Sequence, residues 1–395
     1  MGYYGYGDVG DEAILDGILS LIPPGSDVCV LSSNPVHTEK SHGVRSQRSL
    51  LSTRRRTTGN LISTLLYVMY LNLKKVFILF QNVGVMSGTN LFILGGGGLI
   101  QDSYKGWKHK LPIYLFYILL AKILNKKIMV LSVGAGPLET GCFRLLTKVL
   151  FNQVDVITVR DAESKEVLEQ AGISRSISVV PDPALLLFPK SYGKDILKQN
   201  SIPTHKPIVG VCVHGWIKGF REGNKIYKSR LLEFITFLKI VHEKHSLTIV
   251  IIPTGGTSGK KATDPLAEEI CSQLPECHVL PGEFSPSDMM ELLSNIDILI
   301  SMRLHAIILA SNVFTPSMGI VTDEKMMNFM RMTGQEGNTI AFGNLEPRST
   351  FKVFEKAFQK KDESRRQLRI KASELNKHSQ ENGILIRKIL GGYVQ

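Results

Sequence analysis

Apolar residues fall in short unbroken runs along this chain, separated by stretches in which they recur at helical spacing. In the first half the runs lie at residues 28–31, 91–94, 128–133, 156–159 and 177–180. Helix patterns cover residues 11–21, 111–124 and 142–151. The alternation pauses over residues 188–207, where Pro189, Gly193, Pro203 and Pro207 stand among charged residues. It then restarts, with strand patterns at 208–213, 247–252, 278–280 and 296–300 and helix patterns at 229–244, 264–274 and 287–293. A further helix opens near Met302. Unbroken apolar strands alternating with helices predict parallel sheets covered on both faces. The reading is α/β, with two facing Rossmann-like domains at residues 1–187 and 208–349. Residues 188–207 are read as a linker, and residues 350–395 as a basic helical tail. Folds of this build bind ligands beyond the C-terminal ends of their strands.

Length and composition fit that picture. A chain of 395 residues is long for one domain and comfortable for two. The formal charge of +12 fits a basic solvated surface, and equally an anionic polymer, a phosphorylated substrate or an acidic membrane face. Arg45, Arg48, Arg54, Arg55 and Arg56 form one cluster, and Lys360, Lys361, Arg365, Arg366, Arg369 and Lys371 another. Neither is interleaved with aromatic residues, and no zinc-finger or RRM-type pattern is present, so nucleic acid is not an expected partner. The cysteines, Cys29, Cys142, Cys212, Cys271 and Cys277, show no C-x-x-C pair and sit mostly in apolar runs. They are read as small buried hydrophobes in a reducing compartment, without disulfide or metal. The N-terminus lacks the basic-then-apolar order of a secretory signal. The run at 111–124 contains Lys122 and is short for a bilayer. A cytoplasmic protein is expected, in peripheral contact at most with the inner face of the membrane.

Three strand ends carry candidate chemistry. Gly95-Gly96-Gly97-Gly98-Leu99-Ile100-Gln101-Asp102 follows a strand and opens toward a helix, where backbone N–H groups can face an anion. It matches neither the P-loop nor the dinucleotide fingerprint, and a tight packing turn explains it equally well. Gly134-Ala135-Gly136-Pro137 is a second such turn. The pair Arg160-Asp161 fits a structural salt bridge. Ser301-Met302-Arg303-Leu304-His305-Ala306 follows the strand at 296–300 and puts His305 in the first turn of a helix, a place suited to proton transfer or phosphate contact. Taken alone, a histidine satisfied by backbone is the simpler account. Lys325 lies in a loop after another apolar run, where a lysine is ordinarily solvated.

The ordered set of motifs resembles the bacterial polysaccharide pyruvyltransferases. It comprises the opening Gly2-Tyr-Tyr-Gly-Tyr-Gly-Asp8-Val-Gly-Asp-Glu-Ala-Ile-Leu15, Ser33-Asn-Pro35, 95–102, Ser132-Val-Gly-Ala-Gly-Pro137, Val159-Arg-Asp161, Pro181-Asp-Pro-Ala-Leu185 and Met302-Arg-Leu-His-Ala306, and runs to about residue 330. The subgroup it most resembles pyruvylates secondary cell-wall polysaccharide, which anchors S-layer proteins. The resemblance implies a GT-B-like fold, phosphoenolpyruvate as co-substrate, no cofactor or metal, and a polysaccharide or lipid-linked acceptor, N-acetylmannosamine being the expected sugar. By similarity His305 is the catalytic position. Lys325, Arg144, Arg303, Gly97, Gly98 and Gly136 are expected to bind phosphoenolpyruvate, and Tyr4, Asp11 and Asp102 the acceptor. Where this chain has Asp8 the family has Asn, and where it has Thr322-Asp-Glu-Lys325 the family has Tyr-Asp-Pro-Lys. The family also has an apolar strand before the Gly-Tyr-Tyr-Gly loop. This chain starts at the loop, so that strand is expected to be missing and the chain to be less stable than a longer one. The competing readings are a nucleotide-sugar glycosyltransferase of the same fold and a noncatalytic glycan-binding protein.

Overall fold

A computed structural model describes residues 1–52, 61–102, 110–189, 196–213, 225–255, 265–274, 276–282 and 284–391. They form two compact units. One contains residues 1–6, 14–183 and 378–395, the other residues 7–13 and 184–377. The expected tail is therefore divided, residues 350–377 belonging to the second unit and 378–395 to the first. Arg54, Arg55, Arg56, Gly193 and Asp264 lie outside the described residues.

In chain order the first stretch runs α1 (Val9–Leu21), β1 (Cys29–Ser32), α2 (Pro35–His42), β2 (Arg45–Arg48), α3 (Leu61–Ser87), β3 (Leu91–Gly95), α4 (Leu111–Ile123), β4 (Lys127–Val133), α5 (Gly141–Phe151), β5 (Val156–Val159), α6 (Ala162–Gln170) and β6 (Ile177–Val179). Strands β3-β4-β5-β6 form a parallel sheet in that order, and β1 pairs in parallel with β2 as a separate ribbon. The core between strands and helices is built from Tyr114, Leu115, Tyr117, Val130, Phe151 and their neighbours. The opening residues lie along the free edge of β3. The Met1 amine donates to the Ile93 carbonyl at 2.7 Å, Gly95 N–H donates to the Met1 carbonyl at 2.9 Å, and Ser33 N–H, just past β1, donates to the Tyr4 carbonyl at 3.1 Å.

The chain continues with α7 (Ile196–Gln199), β7 (Ile208–Cys212), α8 (Lys225–His245), β8 (Thr248–Ile251), α9 (Pro265–Cys271), β9 (Cys277–Val279), α10 (Pro286–Ser294), β10 (Ile298–Ser301), α11 (Leu304–Asn312), β11 (Ser317–Val321), α12 (Glu324–Met332), β12 (Thr339–Ala341), α13 (Pro347–Gln359), α14 (Lys361–Ser379) and α15 (Glu381–Ile389). The second sheet has the order β12-β11-β10-β7-β8-β9, all parallel. Its connections lead outward from β7 in both directions, so a switch point falls between β7 and β10, where doubly wound sheets open a crevice at their C-terminal edge. Phe234, Phe237 and Phe354 fill the core beside Val209 and Ile300.

The reading of the cysteines needs correcting. Cys271 and Cys277 are joined in a disulfide, because the short turn from the end of α9 to the start of β9 brings the two together. Cys142 is exposed on α5 and Cys29 half-buried. Cys212 alone of the free cysteines is fully buried, and its thiol is pushed up to about 12 by burial, with Arg303 pulling the other way. The C-terminal helices pack against the rest of the protein, Phe354, Leu368 and Ile386 being fully buried. Asn382 of α15 lies at the centre of a polar knot. Its amide donates to Ser132 Oγ at 2.7 Å and its carbonyl accepts from Thr158 Oγ1 at 2.8 Å. Ser132 Oγ donates in turn to the Val180 carbonyl at 2.8 Å. Asn382→Ala would take one partner from each of two buried hydroxyls, which keep their bonds to the backbone, so a loss of about 1–2 kcal/mol is expected, read as a lower urea midpoint at unchanged slope.

Candidate functional site

The site forms where β10 gives way to α11. Met302 N–H donates to the Cys212 carbonyl at 2.8 Å, and Ser301 Oγ accepts from Arg303 N–H at 2.9 Å, so the chain turns sharply out of the sheet. Arg303 is extended, at the N-cap of α11, and His305 follows in the first turn. The residues that meet them come from the start of the chain. Val9 N–H donates to the Thr254 carbonyl at 3.0 Å, and Asp8 bridges Gly255 in antiparallel fashion. Gly255 has φ +77°, and a Cβ there would drive into the Gly7 carbonyl. A side chain would push the two strands apart.

Asp8 starts α1. Its Oδ1 accepts from Gly10 N–H at 3.0 Å, the bond of an N-capping residue. Its Oδ2 accepts from Arg303 Nη2 at 3.1 Å. Arg303 is further fixed by its Nε–H, which donates to Thr254 Oγ1 at 2.8 Å, and by a second bond from Nη2 to the Gly255 carbonyl at 3.2 Å. Gly10 packs under the His305 ring so closely that a Cβ would overlap Cγ, Nδ1 and Cβ of the histidine.

These residues line a cavity of about 190 Å³ whose wall also includes Asp11, Met289, Met302, Asp323 and Met326. All of it belongs to the second unit. Three helix N-termini reach it. α1 brings Val9, Gly10 and Asp11, α11 brings Leu304, His305 and Ala306, and α12 opens behind Thr322 and Asp323. Asp323 caps α12, its Oδ1 accepting from Met326 N–H at 3.1 Å. Helix N-termini favour anions, Arg303 adds a fixed cation, and His305 a proton carrier. Met289, Met302 and Met326 add apolar surface to the wall. No group of three or more metal-ligating side chains is present among the described residues.

The model of the polysaccharide pyruvyl transferase family matches residues 9–324, a span that takes in α1, Arg303, His305 and Asp323. The chain belongs to that family.

Among curated relatives of this pyruvyl transferase family member is the amylovoran biosynthesis protein AmsJ of Erwinia amylovora, 22% identical over 249 residues. That alignment covers 60% of this chain, and the chain spans 58% of AmsJ's length. Similar solved structures include an S. aureus MnaA–UDP complex, with TM-score 0.63, 11% identity and coverage of 100% of this chain and 96% of that one. A putative UDP-N-acetylglucosamine 2-epimerase of Listeria monocytogenes has TM-score 0.63 and 13% identity, covering 100% and 99%. Anabaena Alr3699/HepE, in complex with UDP and glucose, has TM-score 0.60 and 12% identity, covering 98% and 97%. At these identities the likeness establishes the fold, the two Rossmann-like domains of GT-B glycosyltransferases and epimerases.

The structure sorts the expected site residues of this family member. Arg303, His305 and Asp11 share the cavity. Lys325 is not in a loop but is the second residue of α12, next to the lining residues Asp323 and Met326. The others lie in the first unit. There the two glycine turns are stitched together, Gly134 N–H donating to the Gly97 carbonyl and Gly136 N–H to the Ile100 carbonyl, both at 2.7 Å. Gly98 accepts from the Gln101 amide. Arg144 is folded back on its own turn, Nη2 donating to the Leu138 carbonyl at 2.8 Å. Tyr4 is buried and its hydroxyl donates to the Gly95 carbonyl at 2.6 Å. Asp102 accepts from Glu139 N–H at 2.8 Å and Thr140 N–H at 2.7 Å, one bond to each oxygen, which sets the entry to α5. Arg160 pairs with Asp161 at 3.5 Å, the structural salt bridge its sequence suggests, and also with Asp182 at 3.3 Å. Asp8, Gly10, Thr254 and Asp323 were not expected in the site. A capping acid ahead of a helix is the only signal the sequence gives for Asp8 and Asp323.

Proposed function

We propose that this protein transfers pyruvate from phosphoenolpyruvate to a sugar of a cell-surface polysaccharide, as a ketal, with release of phosphate. The observation that carries the reading is the pairing of Arg303 and His305 at one cavity ringed by three helix N-termini. The cavity's 190 Å³ lies below the range of roughly 300–1,000 Å³ usual for drug-sized ligands. A compact acid suits it better than a whole sugar nucleotide.

In this reading Arg303 and the helix N-termini hold the donor's negative charges, with Lys325 beside them. A proton delivered to the donor's methylene carbon leaves C2 cationic. A sugar hydroxyl adds to C2, the C2–O bond to phosphate breaks, and a second hydroxyl of the same sugar closes the ketal. One hydroxyl proton thus ends on the new methyl group and the other on phosphate. His305 is the group placed to give and to take protons. The acceptor is expected to be N-acetylmannosamine in a lipid-linked glycan of the secondary cell-wall type, met at the cytoplasmic face of the membrane. The test is phosphate release from phosphoenolpyruvate with and without a synthetic N-acetylmannosamine-containing acceptor, followed by mass spectrometry of the acceptor. Acceptor-dependent release with the mass gain of a pyruvyl ketal supports the reading. Turnover of a nucleotide sugar with no phosphate release from phosphoenolpyruvate would replace it with the glycosyltransferase reading.

Asp8 gives a second check. Its carboxylate occupies the guanidinium that the donor needs. Asp8→Asn keeps an oxygen to cap α1, while Arg303 stays held by Thr254 and Gly255. Removing one negative charge a few ångströms from the donor is worth about 1 kcal/mol even at the dielectric of water. A fall in KM for phosphoenolpyruvate of about fivefold is therefore expected in saturation kinetics. A rise in KM would make Asp8 an aid to the arginine rather than a rival for it.

A further inference from the structure

Over residues 71–86 helix α3 has two apolar faces, and the described residues cover only one of them. Leu71, Ile78, Asn82 and Met86 are buried and share one side of the helix. On the opposite side Leu73, Val76, Phe77 and Phe80 are 69%, 50%, 63% and 72% exposed. Their spacing of three, four and seven residues makes a single stripe about 100° wide. Isolated exposed hydrophobes are ordinary, but a contiguous set that includes two phenylalanines marks an interaction surface.

Charge says what covers it. Between Glu39 and Asp102 the chain has no acidic residue, and it carries Lys40, Arg45, Arg48, Arg54, Arg55, Arg56, Lys74 and Lys75. As a stretch of sequence that window carries +8 of the protein's net +12; of its cations Arg45 is paired with Asp27, and Lys74 and Lys75 stand on α3 itself. Two copies of such a segment brought face to face would repel, which disfavours a symmetric dimer through this helix. A soluble polyanion would match the charge and leave the phenylalanines uncovered. An anionic bilayer satisfies both, taking the apolar stripe at the acyl boundary and the cations at the headgroups. With one face fixed on the protein core, α3 lies along such a surface rather than crossing it. No helix is long and apolar enough to cross a membrane among the described residues.

We propose that the outward face of α3, centred on Phe77 and Phe80, docks this protein on an anionic lipid surface. The proposal stands on α3 alone and does not depend on the reaction.

The test is flotation of the full chain with phosphatidylglycerol-containing vesicles and with pure phosphatidylcholine vesicles, alongside light scattering of the free protein. Binding to the anionic vesicles is expected, weakened by added salt, and cut at least about tenfold in the double variant Phe77→Ser/Phe80→Ser. The substituted side chains are solvent-exposed, and a thermal melt confirms that the variant stays folded. Phe80→Trp gives an independent readout, since its emission should shift to the blue on anionic vesicles. Failure to float, or flotation unchanged in the double variant, overturns the proposal. So does a free-protein dimer that the same variant dissociates, which would assign the stripe to a second copy of this chain.

Discussion

His305→Ala is expected to lower turnover by about 10²–10⁴-fold, the usual worth of a positioned proton donor or base, while leaving the melting temperature close to that of the parent. The ring sits in the first turn of α11, over the bare α-carbon of Gly10. Its removal opens space at the cavity wall and breaks no strand. The informative comparison is across pH. If His305 moves the proton, the residual activity of the variant loses one limb of the parent's pH profile. If the ring only contacts phosphate, the profile keeps its shape and KM for the donor rises instead. Acceptor-dependent phosphate release measured from acid to alkaline pH with both proteins separates the two roles. Undiminished activity in His305→Ala would remove this residue from the reaction.

Gly10→Ala is expected to fall almost as far for a different reason. Alanine is the better helix former by about 1 kcal/mol, and α1 has the same cap in both chains. By local preference the variant should be at least as stable as the parent. The new methyl group, however, would coincide with the His305 ring, so the histidine must move. Misplacing a reacting group by about 1 Å costs on the order of 10² in rate. Because the methyl also meets the anchored Cβ of His305, the overpacking offsets that preference; the expected signature is a modestly lowered melting temperature with a loss of turnover near a hundredfold. In the double variant Gly10→Ala/His305→Ala the two losses should not add, because both act through one ring. Additive losses would mean that Gly10 serves the site in some other way.

Much of the architecture is legible in the sequence because the strands are buried on both faces. Runs such as 128–133 and 208–213 have no polar residue to disturb them except serine or glycine, and each becomes a parallel strand. The elements that escape are those with no such contrast. Helix α3 is apolar on opposite sides over 71–80, so no period stands out against its composition. β2 is Arg-Ser-Gln-Arg, a polar strand held by pairing with β1 rather than by burial. The site was partly legible for a related reason. Arg303 and His305 follow directly from a strand end, a local pattern. Their partners Asp8 and Gly10 are some 295 residues away in the chain, and only the folded backbone brings them together. Tyr4 and Asp102 illustrate the converse. Both have the chemistry of binding groups, yet the fold uses the Tyr4 hydroxyl on a strand carbonyl and both Asp102 oxygens on backbone amides.

The ion pair between Asp8 and Arg303 gives the arginine of the resting cavity a counter-charge of its own. An unliganded arginine in such a place would attract any small anion in its surroundings and hold it. Here the arginine already has a tethered carboxylate at hand, at very high local concentration. A chloride or acetate ion gains little by displacing it, since one negative charge merely replaces another. A ligand bearing both a carboxylate and a phosphate brings more charge than it displaces and reaches the helix N-termini as well. On the proposed reading, such a pair would favour anions that carry several charges over the abundant simple ones, with one aspartate side chain as the only part that has to move.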